Sequence, residues 1–139
     1  MHSEGCCLGF DFGLRKIGVA VGQFITFNAQ PLGLIKATDG LPDWHEIKKM
    51  IHEWRPKCLV VGLPIAVDGS DLSITEKAKW FALELEQFGL PVYLSDERLT
   101  TKEAKSHLFQ FGGYKALQNG KVDKLAAALL LEQWMNEHI

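Results

Sequence analysis

Nowhere do the 139 residues run apolar for the roughly 20 consecutive positions that a membrane helix needs, and Met1-His2-Ser3-Glu4-Gly5 lacks the basic start and long apolar core of a secretory leader. The expectation is a cytoplasmic protein with no membrane partner. Cysteine is scarce too. Cys6, Cys7 and Cys58 fall in or beside apolar runs, without the even, loop-spaced arrangement of a disulfide framework, so they are read as reduced core residues. His2, His45, His52, His107 and His138 are scattered and no Cys-x-x-Cys is present, which argues against a zinc centre. An excess of charge is also missing: 15 Lys plus Arg stand against 17 Asp plus Glu, a net of -2. Affinity for nucleic acid must therefore reside in local clusters. Candidates are Arg15-Lys16, Arg98 with Lys102 and Lys105, and Lys115 with Lys121 and Lys124, whereas Lys48, Lys49, Arg55 and Lys57 are read as a solvated helix face. No repeat, low-complexity tract or linker is visible, and the length fits one domain over residues 1–139.

What is present is a series of short apolar runs with two different spacings. Cys7 to Asp11 predicts a strand, Gly13-Leu14-Arg15-Lys16 a turn, and alternating Ile17, Val19 and Val21 a second strand, so that Asp11 stands near the end of a hairpin. Pro31 to Ala37 predicts a third strand and Thr38-Asp39-Gly40 a turn. Leu41-Pro42-Asp43 then opens a helix whose inner stripe is Trp44, Ile47, Ile51 and Trp54, and Pro56 ends it. Lys57 to Pro64 has the continuous apolar character of a central parallel strand. After an Asp68-Gly69 turn, Ser73-Ile74-Thr75-Glu76 has the form of a capping box for a helix that buries Ile74, Ala78, Phe81, Leu85 and Phe88 and is capped by Gly89. Leu90 to Ser95 predicts the last strand, and Thr100-Thr101-Lys102-Glu103 a second capping box before a helix through Phe111. Residues 112–120 predict a mobile loop, and Lys121 onward a closing helix. Three strands joined by short links, then alternating helix and strand, predict an α/β fold: a mixed five-stranded sheet with an antiparallel beginning and helices packed on it.

Asp11 is out of place in an apolar run unless it has a task, because a buried charge without a partner is costly. Asp96-Glu97, at the end of a predicted parallel strand, and Asp123, in the first turn of the last helix, are placed to join it. Carboxylates gathered at one sheet edge repel one another, and a hard divalent cation with a preference for oxygen ligands neutralises them. Mg²⁺ or Mn²⁺ so held supports phosphodiester cleavage. Bland readings stand beside each residue: an Asx-turn for Asp11, an ion pair with Arg98 or a helix cap for the Asp96-Glu97 pair, and the helix dipole for Asp123. Strand alternation puts Asp96 and Glu97 on opposite faces, so one of the two is expected to join the site, with Glu97 favoured for its reach.

A resemblance decides between these readings. Leu8-Gly9-Phe10-Asp11-Phe12-Gly13 with Ile17-Gly18-Val19-Ala20-Val21, Val60-Val61-Gly62-Leu63-Pro64 with Asp68-Gly69, Asp96-Glu97-Arg98-Leu99-Thr100-Thr101, and Val122-Asp123-Lys124-Leu125-Ala126-Ala127 closely resemble the YqgF family, also called RuvX. The motifs occur in order over nearly the whole chain. The resemblance implies a ribonuclease-H-like fold and a metal-dependent nuclease acting in 5′-end maturation of pre-16S ribosomal RNA; by analogy of fold the family has also been called a Holliday junction resolvase. It implies Asp11, Glu97 and Asp123 as the catalytic and metal-holding set, and Gly13, Arg15 and Arg98 as neighbours that position backbone or phosphate; Lys16 and Lys121, from the cation clusters beside the acidic positions, are read as further substrate contacts. The expected cofactor is Mg²⁺ or Mn²⁺, and the expected partner nucleic acid, either precursor rRNA or branched DNA, bound by a monomer or a homodimer. The chain departs from the pattern at Ile65-Ala66-Val67, where relatives carry a polar residue, and in the few cations between Gly112 and Gly120. A non-catalytic ribosome-associated binding module is the competing class. An actin-like phosphate loop, which Asp-x-Gly also resembles, would require two such domains.

Overall fold

The computed structural model describes residues 5–63, 73–96 and 121–138. Its elements are β1 (Cys6–Asp11), β2 (Lys16–Gln23), β3 (Asn28–Thr38), β4 (Leu41–Pro42), α1 (Trp44–Trp54), β5 (Cys58–Leu63), α2 (Ser73–Leu85) with a short 3₁₀ extension (Glu86–Phe88), β6 (Val92–Asp96) and α3 (Lys121–His138). The strands form one sheet in the order β4-β3-β2-β1-β5-β6. β1, β2, β3 and β4 pair antiparallel in succession, and β5 and β6 continue from β1 as parallel neighbours. The antiparallel beginning and parallel continuation thus follow the expectation, but the sheet has six strands rather than five.

The additional strand has a local cause. Asp39 (φ 52°) and Gly40 (φ 85°) both adopt positive φ, the requirement of a two-residue type I′ hairpin, for which Asp-Gly is a favoured pair. The chain therefore folds straight back, pairing Leu41 with Thr38 and Pro42 with Ala37. Asp43 then caps α1, its Oδ1 accepting from the His45 N–H at 3.1 Å. β3 is also longer than the predicted run from Pro31 to Ala37. Pro31 is accommodated because β4 borders only the last two residues of β3, so the missing N–H of Pro31 faces no ladder on that side. The register slips between Val19 and Ala20, where the count on β3 jumps from Gly33 to Pro31 and leaves Leu32 as a bulge.

Helix ends follow the chemistry of their residues. α1 stops where Arg55 turns left-handed (φ 47°) and gives its N–H to the Ile51 carbonyl at 2.8 Å, with Pro56 next in line. The 3₁₀ turn after α2 ends at Gly89 (φ 76°), as its position predicts. The helix predicted from Thr100, the loop at 112–120 and the Asp68-Gly69 turn lie outside the described residues.

Two hydrophobic layers sandwich the sheet. One joins Leu8, Phe10, Phe12, Ile17, Val19, Ile35, Leu59 and Val61 to Ile47 of α1 and to Ala78, Phe81 and Leu85 of α2. The other joins Cys7, Ala20, Cys58 and Val60 to Ala127, Leu130, Leu131, Trp134 and Met135 of α3. β1 lies at the centre, and all six of its residues are buried. The three cysteines are free and buried, as expected. Among the described residues no helix is long and apolar enough to cross a membrane.

Candidate active site

Asp11 is the last residue of β1. Alternation along the strand assigns Leu8 and Phe10 to the α1/α2 layer and Cys7, Gly9 and Asp11 to the α3 layer. The Asp11 residue is 8% exposed, and it and Thr75 are the buried polar or charged residues among those described. Its in-register neighbours are Gly18 on β2 and Gly62 on β5. In that row of three positions Asp11 alone carries a side chain. Gly62 is in turn aligned with Ser95 of β6, so Asp11, Gly62 and Ser95 share one row at the carboxyl ends of three parallel strands. Asp96 is aligned with Leu63, one step out of phase with that row.

α3 reaches the same end of the sheet. A Cβ on Gly9 would lie 3.2 Å from Leu131, and one on Gly22, the partner of Cys7, 2.9 Å from Met135. Successive turns of α3 thus step toward the carboxyl end of β1 as the helix is followed backward. Asp123 is eight residues before Leu131, about 12 Å along the helix, whereas Asp11 is about 7 Å beyond Gly9 along the strand. The first turn of α3, with Lys121 and Asp123, therefore belongs to the Asp11 end of the molecule.

The β1–β2 turn supplies cations. Gly13 admits no side chain, since a Cβ there would sit 2.5 Å from the Lys16 carbonyl oxygen. The tightness of this turn holds Arg15 and Lys16, both exposed, just past Asp11. Backbone bonds lock the turn against the following hairpin: Ala37 N–H donates to the Arg15 carbonyl at 2.8 Å and Gly40 N–H to the Leu14 carbonyl at 2.9 Å. Lys16 is directly opposite Lys36 on β3, and both are exposed. Because Ile17 and Ile35 point into the α1/α2 layer, Lys16 and Lys36 project on the Asp11 face. An extended polyanion lying along this face can meet both cations at once. Lys36 did not stand out in the sequence, since only the β2–β3 register, shifted by the bulge at Leu32, brings it beside Lys16.

Of the expected site residues, Asp11, Gly13, Arg15 and Lys16 are thus gathered at one end of the sheet. The backbones of Lys121 and Asp123 start the helix that packs on the Asp11 face. Glu97 and Arg98 lie outside the described residues. Among the described residues there is no group of three metal-ligating side chains, a set that includes Asp11 but not the side chains of Glu97 or Asp123. A hard oxygen donor, buried at a strand end and flanked by glycines, fits a divalent cation of the Mg²⁺ or Mn²⁺ type.

The sheet order, with an antiparallel β1–β2–β3 meander extended in parallel by β5 and β6 and an acidic residue closing the central strand, defines a ribonuclease-H-like α/β fold of the resolvase type. Two solved structures share that fold over 95% of the chain. RuvC of T. thermophilus in complex with a Holliday junction substrate aligns with a TM-score of 0.57 and 20% identity over 96% of its own length. The fowlpox virus Holliday junction resolvase aligns at 0.55 and 12% over 99% of its length. The chain itself belongs to the RuvX family, described as Holliday junction resolvase, whose model matches residues 5–137. A relative from Shewanella oneidensis, named "Putative pre-16S rRNA nuclease", is 52% identical over 132 residues, which is 94% of each chain. Another of the same name from Legionella pneumophila (strain Lens) is 50% identical over 135 residues, 96% of this chain and 97% of that one.

Proposed function

We propose that this chain is a metal-dependent nuclease that hydrolyses phosphodiester bonds in the 5′-end maturation of pre-16S ribosomal RNA. The observation that carries the reading is the buried Asp11 carboxylate between Gly18 and Gly62, with Lys16 and Lys36 on the same face. The names of the 52% and 50% identical relatives supply the substrate. Asp11, Glu97 and Asp123 would hold Mg²⁺ or Mn²⁺. Asp96 is out of phase with the Asp11–Gly62–Ser95 row, which favours Glu97 as the ligand. When bound, such ions provide a nucleophile at neutral pH and stabilise the departing oxygen. The remaining residues position substrate. Arg15, Lys16 and Lys36, with Arg98 and Lys121, draw the phosphate backbone across the sheet end by charge. Gly13 keeps the cationic turn tight against Asp11. One domain over residues 1–139 and a cytoplasmic location suit this work.

Precursor rRNA incubated with the protein and Mg²⁺ is expected to be cut. Asp11→Asn should lower the rate on the order of a thousandfold, about 4 kcal/mol of barrier, while its circular dichroism and melting stay native. Wild-type rates in that variant would remove the mechanism. A protein that binds rRNA but neither cuts it nor takes up Mn²⁺ in calorimetry would be a binding module instead.

A second reading, cleavage of four-way DNA junctions, is favoured by the family's description and by the resolvase fold. It requires two sites related by a two-fold axis and hence a homodimer. Sedimentation as a monomer together with indifference to a four-way junction would count against it.

A further inference from the structure

At the same end of the molecule, on the α1/α2 side of the sheet, the β3–β4 hairpin and α2 enclose a pocket of about 200 Å³ lined by Asp39, Gly40, Leu41, Lys77 and Trp80. Leu41 is 57% and Trp80 38% exposed. Large apolar side chains left at the surface beside a cavity call for a planar apolar occupant. Trp80 is held by a near-perpendicular contact with Trp44, ring centroids 6.4 Å apart. Gly40 forms the floor. A Cβ there would stand 3.1 Å from the Phe12 ring and 3.5 Å from Lys77 Cδ, and its φ of +85° excludes most other residues. Phe12 follows Asp11 in the chain but packs in the α1/α2 layer while Asp11 belongs to the α3 face, so the pocket and the candidate active site lie on opposite faces of the same end of the sheet.

The rim is polar and specific. Lys77 Nζ pairs with Asp39 Oδ1, a contact that leaves the second carboxylate oxygen of Asp39 and two further ammonium hydrogens on Lys77. The mouth thus presents an acceptor next to a donor over an aromatic wall. Guanine offers the complementary edge: O6 accepts, and N1–H and the exocyclic amine donate. Adenine and cytosine offer the reverse order at the corresponding positions, and uracil, which shares the acceptor O4 and the donor N3–H, has the acceptor O2 where guanine carries its amine and so meets the carboxylate less well. Unpaired bases in RNA are commonly recognised in this manner, by stacking on an aromatic side chain and hydrogen bonding along the pairing edge.

We infer that this pocket binds one unpaired guanine of the substrate strand, with Trp80 and Leu41 against the base, Lys77 donating to O6 and Asp39 accepting from N1–H and the amine. The inference takes its substrate from the nuclease reading above and adds a base preference at the same end of the sheet, on the face opposite Asp11. The ion pair keeps the mouth formed in the absence of RNA. Asp39 suits the position because the hairpin needs a positive φ there, which Asp and Asn tolerate better than most residues.

The test uses the full chain in buffer with EDTA, so that binding is read without cleavage. Fluorescence anisotropy is measured with labelled cytidine hexamers carrying one central guanine, hypoxanthine or adenine. The guanine hexamer is expected to bind about tenfold more tightly than the adenine one, with hypoxanthine, which lacks the amine, between them. Asp39→Asn, which is exposed and isosteric, should erase the difference between guanine and hypoxanthine. Trp80→Ala should weaken all three about tenfold. Equal affinities in the wild type, or a preference for guanine over hypoxanthine that survives Asp39→Asn, would overturn the inference whether or not the tryptophan variant folds. Cleavage of precursor rRNA with Mg²⁺ is scored separately. Cutting with base-indifferent binding sinks the pocket and spares the nuclease. Guanine-selective binding without cutting does the opposite.

Discussion

The two faces of the sheet are built on different principles. On the α1/α2 face, bulk fills the space: Phe81 meets Phe10, Phe12 and Trp44 at ring-centroid distances of 5.6, 5.4 and 5.7 Å. On the α3 face the sheet contributes Gly9, Gly22, Ala20, Cys7 and Cys58, and the helix answers with Ala127, Ala128, Leu131 and Met135. Small residues on the strands let α3 lie close to the backbone. Glu132 even reaches past the sheet to accept from the Ala29 N–H at 2.9 Å. The aromatic face therefore fills its space with interlocking rings, and the glycine face fixes a distance. That distance sets how near the first turn of α3 comes to Asp11.

The contrast can be broken first on the aromatic side. Phe81→Ala removes a fully buried ring from three aromatic neighbours and should cost about 3–5 kcal/mol in denaturant unfolding, with little change in Mn²⁺ affinity once folded. On the other side, Gly22→Val would thrust methyl groups into Leu131 and Met135. It should cost about 1–3 kcal/mol by overpacking, yet lower nuclease activity disproportionately by lifting α3. Equal losses of activity per kcal/mol in the two variants would refute the division of labour.

A smaller effect sharpens the comparison further. Cys7 and Cys58 are in-register neighbours on β1 and β5. The sulfur–sulfur hydrogen bond, with burial second, pushes the Cys7 thiol up, and burial does the same to Cys6. The Cys7 contact draws Cys58 down, with burial opposing it. A thiol whose folded value is raised stays protonated in the fold while the unfolded chain ionises. The stability that Cys7 contributes is thus present below about pH 8.5 and lost above it, by at most about 1.4 kcal/mol per pH unit, offset in part by Cys58. Cys7→Ala should flatten the fall in urea midpoint between neutral and alkaline pH; an unchanged slope would show that the pair does not titrate with folding.

Much of this architecture is legible in the residues themselves. The hairpin end at Asp11, the stop at Pro56 and the Gly89 cap follow from period and punctuation, because those signals are local. β4 was not, since Asp39-Gly40 reads as a turn whether or not two residues pair beyond it. Lys36 stayed hidden for a related reason: its partnership with Lys16 depends on strand register, and the bulge at Leu32 shifts that register by one. Asp11 was conspicuous because a carboxylate in an apolar run violates patterning. Its flanking by Gly18 and Gly62 emerged once strand order placed β1 between β2 and β5. The guanine pocket could not be foreseen, since Lys77 and Asp39 are separated by 38 positions and neither belongs to a motif.

The register that sets Lys16 opposite Lys36 couples the fold to its ionic atmosphere. Both residues are exposed on adjacent strands, so a phosphate chain lying across them would meet two cations at once and release the small ions that surround them. Its grip should therefore loosen steeply as salt rises, and the strands that carry the lysines should be most firmly ordered when such a chain is seated on them.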